Sequence, residues 1–313
     1  MLSRIAESLY WIGRYLERAD AKARVLDVHL TRIQDEPGTD QERQLRTLLA
    51  AMGVDPGDAA VTPTSVVGLL AFDQESPASI TAALTAAREN ARGAREILSS
   101  ELWEALNVTW HGLAERRMAA AVLGPQVFCH YVRERTAMTT GLISTTMVRD
   151  DGWRFLSLGV ALERIDMAAR MLSTPALAEG RASVLAGLLR SVGGHDTFVR
   201  VYQGAVSPAN VAEFLLRDQL SPRSVAFSLA AAESLLRELD PGLDDRLGVA
   251  DGARRALGRM RLALEFRSSA ELLDDLPSLI ESLLRLTSRT SDEVTSRYFG
   301  KSLLVRWAEE VAL

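Results

Sequence analysis

The chain has 313 residues, 47% hydrophobic and 25% charged, the profile of a soluble globular protein able to bury one large core or two smaller ones. A formal charge of -5 argues against a dedicated nucleic-acid binder, which needs a basic face to neutralise phosphates. Cys129 is the only cysteine, which excludes an internal disulfide framework and fits a reducing compartment.

The amino terminus opens directly as an amphipathic helix with charges throughout, lacking the apolar run of a signal peptide. No segment approaches the roughly 18 uncharged apolar residues of a membrane span, so the expectation is a cytoplasmic protein with no membrane partner. Apolar residues at Leu9, Ile12, Leu16, Ala19, Ala23, Leu26 and Leu30 alternate steps of three and four, which predicts a helix over 2–33. Further helices are predicted near 41–52, 64–71, 77–107, 111–122, 125–147, 152–173, 177–192, 208–217, 222–239, 250–268 and 278–298, with a last one to about 311. Ser76-Pro77, Ser207-Pro208 and Ser221-Pro222 each read as a capping hydroxyl before a proline at the first helical position. Residues from Asp35 to Gly38 and from Gly53 to Thr64 read as loops, and Gly193-Gly194 and Asp240-Pro241-Gly242 as breaks. No segment alternates as a strand should. The expected fold class is all-α.

One string occurs twice. Gly13-x-x-Leu16-Glu17-Arg18-x-Asp20-x-x-Ala23-Arg24-x-Leu26 matches Gly159-x-x-Leu162-Glu163-Arg164-x-Asp166-x-x-Ala169-Arg170-x-Leu172 at an offset of 146. A second pair, beginning Ser76-Pro77-x-Ser79 and Ser221-Pro222-x-Ser224, matches at an offset of 145. Two collinear matches imply half-repeats 1–146 and 147–292 with a C-terminal helical extension. The expectation is a single domain spanning 1–313, a multi-helix bundle of two duplicated halves with a pseudo-twofold relation.

At about 100° per residue, Gly13, Glu17, Asp20 and Arg24 share an arc beside the apolar stripe, while Arg18 points away. Glu17 and Arg18 must therefore serve different partners. The second copy is apolar almost all round, which predicts burial, so Glu163, Arg164, Asp166 and Arg170 need partners or a ligand inside the protein. Asp20 to Arg24 and Asp166 to Arg170 are also ordinary acid-before-base pairs one turn apart, and a structural salt-bridge network explains them equally well. A third cluster, Arg88-Glu89-Asn90-Ala91-Arg92-Gly93-Ala94-Arg95, spaces three arginines along one helix side near Trp103 and Asn107. Guanidinium forks suit carboxylate or phosphate, although this row also reads as a solvated face.

His29, His111, His130 and His195 are dispersed without metal-ligand spacing, and no Gly-rich nucleotide loop occurs, so no metal or cofactor is expected. Cys129 and His130 diverge on a helix and do not suit a thiolate dyad.

The chain resembles the bacterial alpha-E family, an all-helical domain named for its Glu-Arg motif. The resemblance rests on Leu16-Glu17-Arg18-Ala19-Asp20, Ala87-Arg88-Glu89-Asn90-Ala91-Arg92 with Trp103 and Leu106-Asn107, the stretch from Asp151-Gly152-Trp153 to Leu162-Glu163-Arg164, and Pro222-Arg223-Ser224-Val225. It implies a bacterial protein encoded beside, or fused to, a circularly permuted ATP-grasp ligase-like protein, often with a transglutaminase-like protein nearby, in a peptide-modification system. The implied role is a noncatalytic helical partner that binds the ligase or its peptide ligand. Arg88, Arg92 and Arg95 would engage a carboxylate, and Glu17, Glu163 and the paired aspartates would orient an amine or those arginines. Two alternatives stand beside it: an enzyme of the same pathway with Glu17 or Glu163 as general base, or a structural dimerisation module, a homo-oligomer being compatible with either.

Overall fold

Leu9, Ile12, Leu16, Ala19, Ala23, Leu26 and Leu30 are all buried, and they fix the path of α1 (Ser3–Asp35) through the centre of the protein. The computed structural model describes residues 2–35, 40–241, 244–245, 248–249 and 251–300. The helix expected to run to about 311 lies outside them, as do parts of the loops around 36–39 and 242–243.

Across α1 lies α7 (Asp151–Leu172), opened by the Asp150 side chain, which accepts from the Trp153 N–H. The two cross at paired glycines. A methyl placed on Gly13 would stand 2.0 Å from the Leu156 carbonyl oxygen, and one on Gly159 would stand 2.1 Å from that of Tyr10. Only residues without a side chain let the backbones approach this closely.

The remaining helices wrap this central pair. After α2 (Gln41–Ala51), α3 (Pro63–Val67) runs into a π-helical turn over Gly68–Phe72. Against α1 pack α4 (Ile80–Gly93) and α6 (Gln126–Thr146), with α5 (Ser100–Leu123) outside both. After α8 (Ala176–Glu179), α9 (Ala182–Val192) also packs on α1, followed by α10 (His195–Tyr202) and α11 (Pro208–Arg217). Against α7 pack α12 (Val225–Leu239) and α15 (Leu276–Val294), with α13 (Gly252–Glu265) outside them and α14 (Ser269–Asp274) against α11. Among the described residues the only extended pairing is Asp244–Asp245 with Gly248–Val249. The fold is all-helical, as the periodicity predicts.

Several boundaries differ for local reasons. The helix expected over 77–107 is interrupted after Gly93, and α5 restarts at Ser99, whose hydroxyl caps the Leu102 N–H, then continues without a break past Asn107. Ser76-Pro77 and Ser221-Pro222 are not helix starts: Ser79 and Ser224 cap instead, accepting from Ala82 and Phe227 while donating to the carbonyls of Asp73 and Asp218. Only Ser207-Pro208 has the expected form. The short helices α10 and α14 fall in segments too brief to register a period.

Candidate functional site

Two carboxylates lie at the crossing, one from each central helix, and each is held by arginines of the other half. Glu163 has no solvent exposure and accepts from Arg14 Nε at 2.5 Å, Arg18 Nε at 2.6 Å and Arg18 Nη2 at 2.9 Å. Glu17 accepts from Arg164 Nε at 2.9 Å and Arg223 Nη1 at 2.8 Å. The exchange of Arg18 for Glu163 and Arg164 for Glu17 is reciprocal, and Glu17 and Arg18 do serve different partners. Five Glu-Arg dipeptides occur in the sequence, but only those at 17 and 163 have a buried glutamate.

The aspartates flank these nodes. Asp20 accepts from Arg24 Nε at 2.8 Å, Arg223 Nη2 at 3.2 Å and the Thr136 hydroxyl at 3.3 Å. Asp166 accepts from Arg170 Nε at 2.6 Å and the Thr287 hydroxyl at 3.4 Å. Arg170 also donates to the Ala51 carbonyl at the end of α2, and the Arg24 guanidinium lies against Gly193 at the end of α9, where the helix carbonyls favour a cation.

Electrostatics hold the Glu163 carboxyl in its charged form. Burial opposes its ionisation, yet the attraction and hydrogen bonds of Arg14 and Arg18 outweigh that and pull the carboxyl from its ordinary 4.5 down to about 2. Burial likewise disfavours the charged forms of Arg14, Arg18 and Arg223, and the facing carboxylates overcome it and raise all three. Asp20 is lowered, its burial outweighed by Arg24 and Arg223. A carboxylate held this low is a permanent anion, the opposite of a general base tuned towards neutral pH.

The two nodes differ in what lies above them. Over Glu163 the space is filled: Trp11 stacks on Tyr15, and the guanidiniums of Arg14 and Arg18 lie over these rings. At the positions aligned by the 146-residue offset stand Ser157, Val160 and Ala161 in place of Trp11, Arg14 and Tyr15. With those small side chains the other node opens into a cleft of about 720 Å³ walled by α1, α6, α7 and α12. Glu17, Asp20, Arg24, Arg164 and Arg223 form one end of it, and Arg149, Trp153, Ser234 and Glu238 the other.

The Arg88 row does not join this site: α4 packs on α1, but none of its arginines lines the cleft. Arg88 faces α5, donating Nε to Asn107 Oδ1 at 2.8 Å and lying 4.3 Å from the centre of the Trp110 ring. It also pairs with Glu89, as does Arg92, while Asn90 donates to the Ala86 carbonyl. Arg95 lies beyond the end of α4 and, like Arg88, over the Trp103 ring, whereas Arg92 is at the surface, so the three arginines do not form one continuous row on α4.

Arg14 escapes sequence reasoning, and Arg223 enters it only within the run that carries the family resemblance, with no part in a site. Arg223 stands in the duplicated Ser-Pro-x-Ser segment where the first copy has Ala78, and Arg14 stands where the second helix has Val160, so a comparison limited to matching positions passes over both. Lys22 is a further buried cation, donating Nζ to the Ala78 carbonyl. Among the described residues no cluster of His, Cys, Asp or Glu could hold a metal ion, and no helix is long and apolar enough to cross a membrane.

The family profile of Alpha-E, described as "a predicted alpha-helical domain with a conserved ER motif", matches residues 1–299. The chain belongs to the Alpha-E family. It is similar to an uncharacterised protein of Mycobacterium bovis and to one of Mycobacterium tuberculosis, each 26% identical over 267 residues and covering 76% of this chain. A second M. tuberculosis sequence is 25% identical over the same length. The match spans only 30% of the length of these relatives. No solved structure matches.

Proposed function

We propose that this Alpha-E chain is a ligand-binding helical partner of an ATP-grasp peptide ligase, working in the cytoplasm in a peptide-modification system, and that it holds a carboxylate-bearing or peptide ligand in the cleft over Glu17. The observation that carries this reading is the cleft itself, which leads from the surface to partly exposed arginines. At its charged end Arg24, Arg164 and Arg223 face two acids, Glu17 and Asp20, leaving one positive charge in excess. That balance favours an anion, and a half-enclosed guanidinium binds a carboxylate more strongly than one in bulk water.

The Glu163 node is the structural counterpart. It carries the same charge balance, Arg14, Arg18 and Arg170 against Glu163 and Asp166, but the rings of Trp11 and Tyr15 cover it, and it serves to fix α1 against α7. We further propose that the halves descend from a duplication in which one node kept an open approach and the other was closed by Trp11, Arg14 and Tyr15. An enzymatic role, the second reading, rests on Glu17, because of the two Glu-Arg glutamates it is the one that lines the cleft. Most of each mycobacterial relative lies outside the match, which supports a domain that works beside another unit.

Copurification from the native host tests the reading. The wild-type chain should retain a ligase of the ATP-grasp class and a bound peptide identifiable by mass spectrometry. Ala161→Tyr, which fills the cleft as Tyr15 fills the opposite side, should retain the fold and lose the peptide. Identical partners, bound molecules and peptide modification with both proteins would refute it.

A further inference from the structure

The cleft is directional, and ion pairs mark its two ends. Arg164 and Arg223 meet at Glu17, and the Thr136–Asp20 hydrogen bond brings α6 to the same end. At the opposite end Arg154 pairs with Glu238, joining α7 to the far end of α12, and Arg149 lies 4.3 Å from the centre of the Trp153 ring. From Ser228 to Glu238 along α12, at about 1.5 Å per residue, the channel runs roughly 15 Å. An extended chain advances about 3.3–3.6 Å per residue, so this length accommodates about four residues.

Resting on the binding role proposed above, we infer that the cleft takes the carboxyl-terminal end of an extended peptide of about four residues with apolar side chains, its terminal carboxylate entering first to meet Arg164 and Arg24. Each of these arginines donates only its Nε, to Glu17 and Asp20 respectively, and among the described residues no other hydrogen bond engages their terminal nitrogens. The excess positive charge at that end matches one carboxylate. Along the channel Val160, Phe227, Ala231 and Leu235 offer an apolar wall. On the facing wall Thr140 and Ser144 stand one helical turn apart, about 6 Å, close to the two-residue repeat of an extended backbone. The Thr140 hydroxyl donates to the Thr136 carbonyl and keeps a lone pair for a peptide N–H, while the Ser144 hydroxyl is open to either peptide group; a plain acyl chain offers neither partner, which distinguishes a peptide from a fatty acid of equal length.

Calorimetric titration of the whole chain with N-acetyl-Leu-Ala-Leu-Ala as the free acid, with its C-terminal amide and with decanoate tests the inference. The acid should bind about tenfold or more tightly than the amide or decanoate. Arg164→Gln should abolish the difference between acid and amide. Because Arg164 also holds Glu17, Ala161→Tyr and Val160→Trp serve as variants that remove no member of an ion pair: both should lose binding of the acid with an unchanged circular-dichroism spectrum. Equal affinity for acid and amide, tighter binding of decanoate, or absence of peptide binding would each overturn the inference. The broader binding role would still be judged by whether Ala161→Tyr strips bound material from the copurified protein, so the two failures are distinguishable.

Discussion

Gly13 and Gly159 occupy each other's helix surface, the Cβ position of the first 2.0 Å from Leu156 O and that of the second 2.1 Å from Tyr10 O. The atoms met are backbone on both sides and cannot rotate away, so Gly13→Ala or Gly159→Ala forces α1 and α7 apart and strains every ion pair between them. Each substitution should destabilise by more than about 2 kcal/mol, at the upper part of the range for overpacked sites. Gly141 on α6 has open space around it, and Gly141→Ala there should be neutral or slightly stabilising through helix propensity. Urea denaturation of the three variants provides the comparison. Equal behaviour would mean that the glycine crossing does not set the helix separation.

Glu163→Gln should be a stability variant. Removing the charge leaves Arg14 and Arg18 facing each other inside the protein without a counter-ion, a change that costs about 3–5 kcal/mol at buried pairs. The acid limb follows from the same node. A carboxyl at about 2 when folded and near its ordinary 4.5 when unfolded adds stability that is complete above the unfolded value and is lost as pH falls from about 4.5 to 2. The contribution is about 3 kcal/mol. Wild type should therefore lose stability steeply across that window, and Glu163→Gln should lose correspondingly less. Parallel acid limbs would show that Glu163 does not carry this dependence.

The helical fold and the burial of the Glu-Arg pairs were legible because both depend on periodicity: an apolar stripe at 3.6-residue spacing around Leu9 to Leu30, and charged positions inside the nearly all-apolar surround of Glu163. What was not legible is how charges are shared across space. The sequence aligns Glu17 with Glu163, yet their surroundings are set by residues that do not align, Trp11 against Ser157 and Arg14 against Val160, together with Arg223 from a helix start distant in the chain. The difference in side-chain volume was visible at the 146-residue offset. That it closes one node and opens the other depends on which helix lies above, and only the tertiary arrangement supplies that. The Arg88 row misled for a similar reason: spacing alone predicts one continuous face, but the helix ends at Gly93, and Arg88 turns to Asn107 and Trp110 on α5.

That row yields its own contrast. Arg92 is largely exposed and pairs with Glu89 at the surface, so Arg92→Ala should shift stability by no more than about 0.5 kcal/mol. Arg88 is half-buried against Trp110 with Asn107 accepting its Nε, and Arg88→Ala should cost about 1–2 kcal/mol through lost stacking and an abandoned acceptor. Neither should alter peptide binding in the cleft. A loss of binding in Arg92→Ala with the fold intact would return the ligand site to α4.

Lys22 supplies the alkaline counterpart. Burial, reinforced by repulsion from Arg18 and Arg170, outweighs the pull of Glu163 and Asp166 and brings its ammonium from the ordinary 10.5 down to about 7. Between those values the unfolded chain carries a proton that the folded chain does not, so the penalty is fully present below about pH 7 and is relieved as pH rises towards 10.5. Lys22→Met cannot titrate and gives up the hydrogen bond to Ala78. The stability of wild type relative to Lys22→Met should therefore rise by a few kcal/mol between about pH 6 and pH 9.5, at about 1.4 kcal/mol for each pH unit climbed above the folded value. Other alkaline groups such as Cys129 are common to both proteins and cancel in the difference. Denaturation curves at the two pH values measure it directly, and a difference independent of pH would mean that Lys22 stays charged inside the fold.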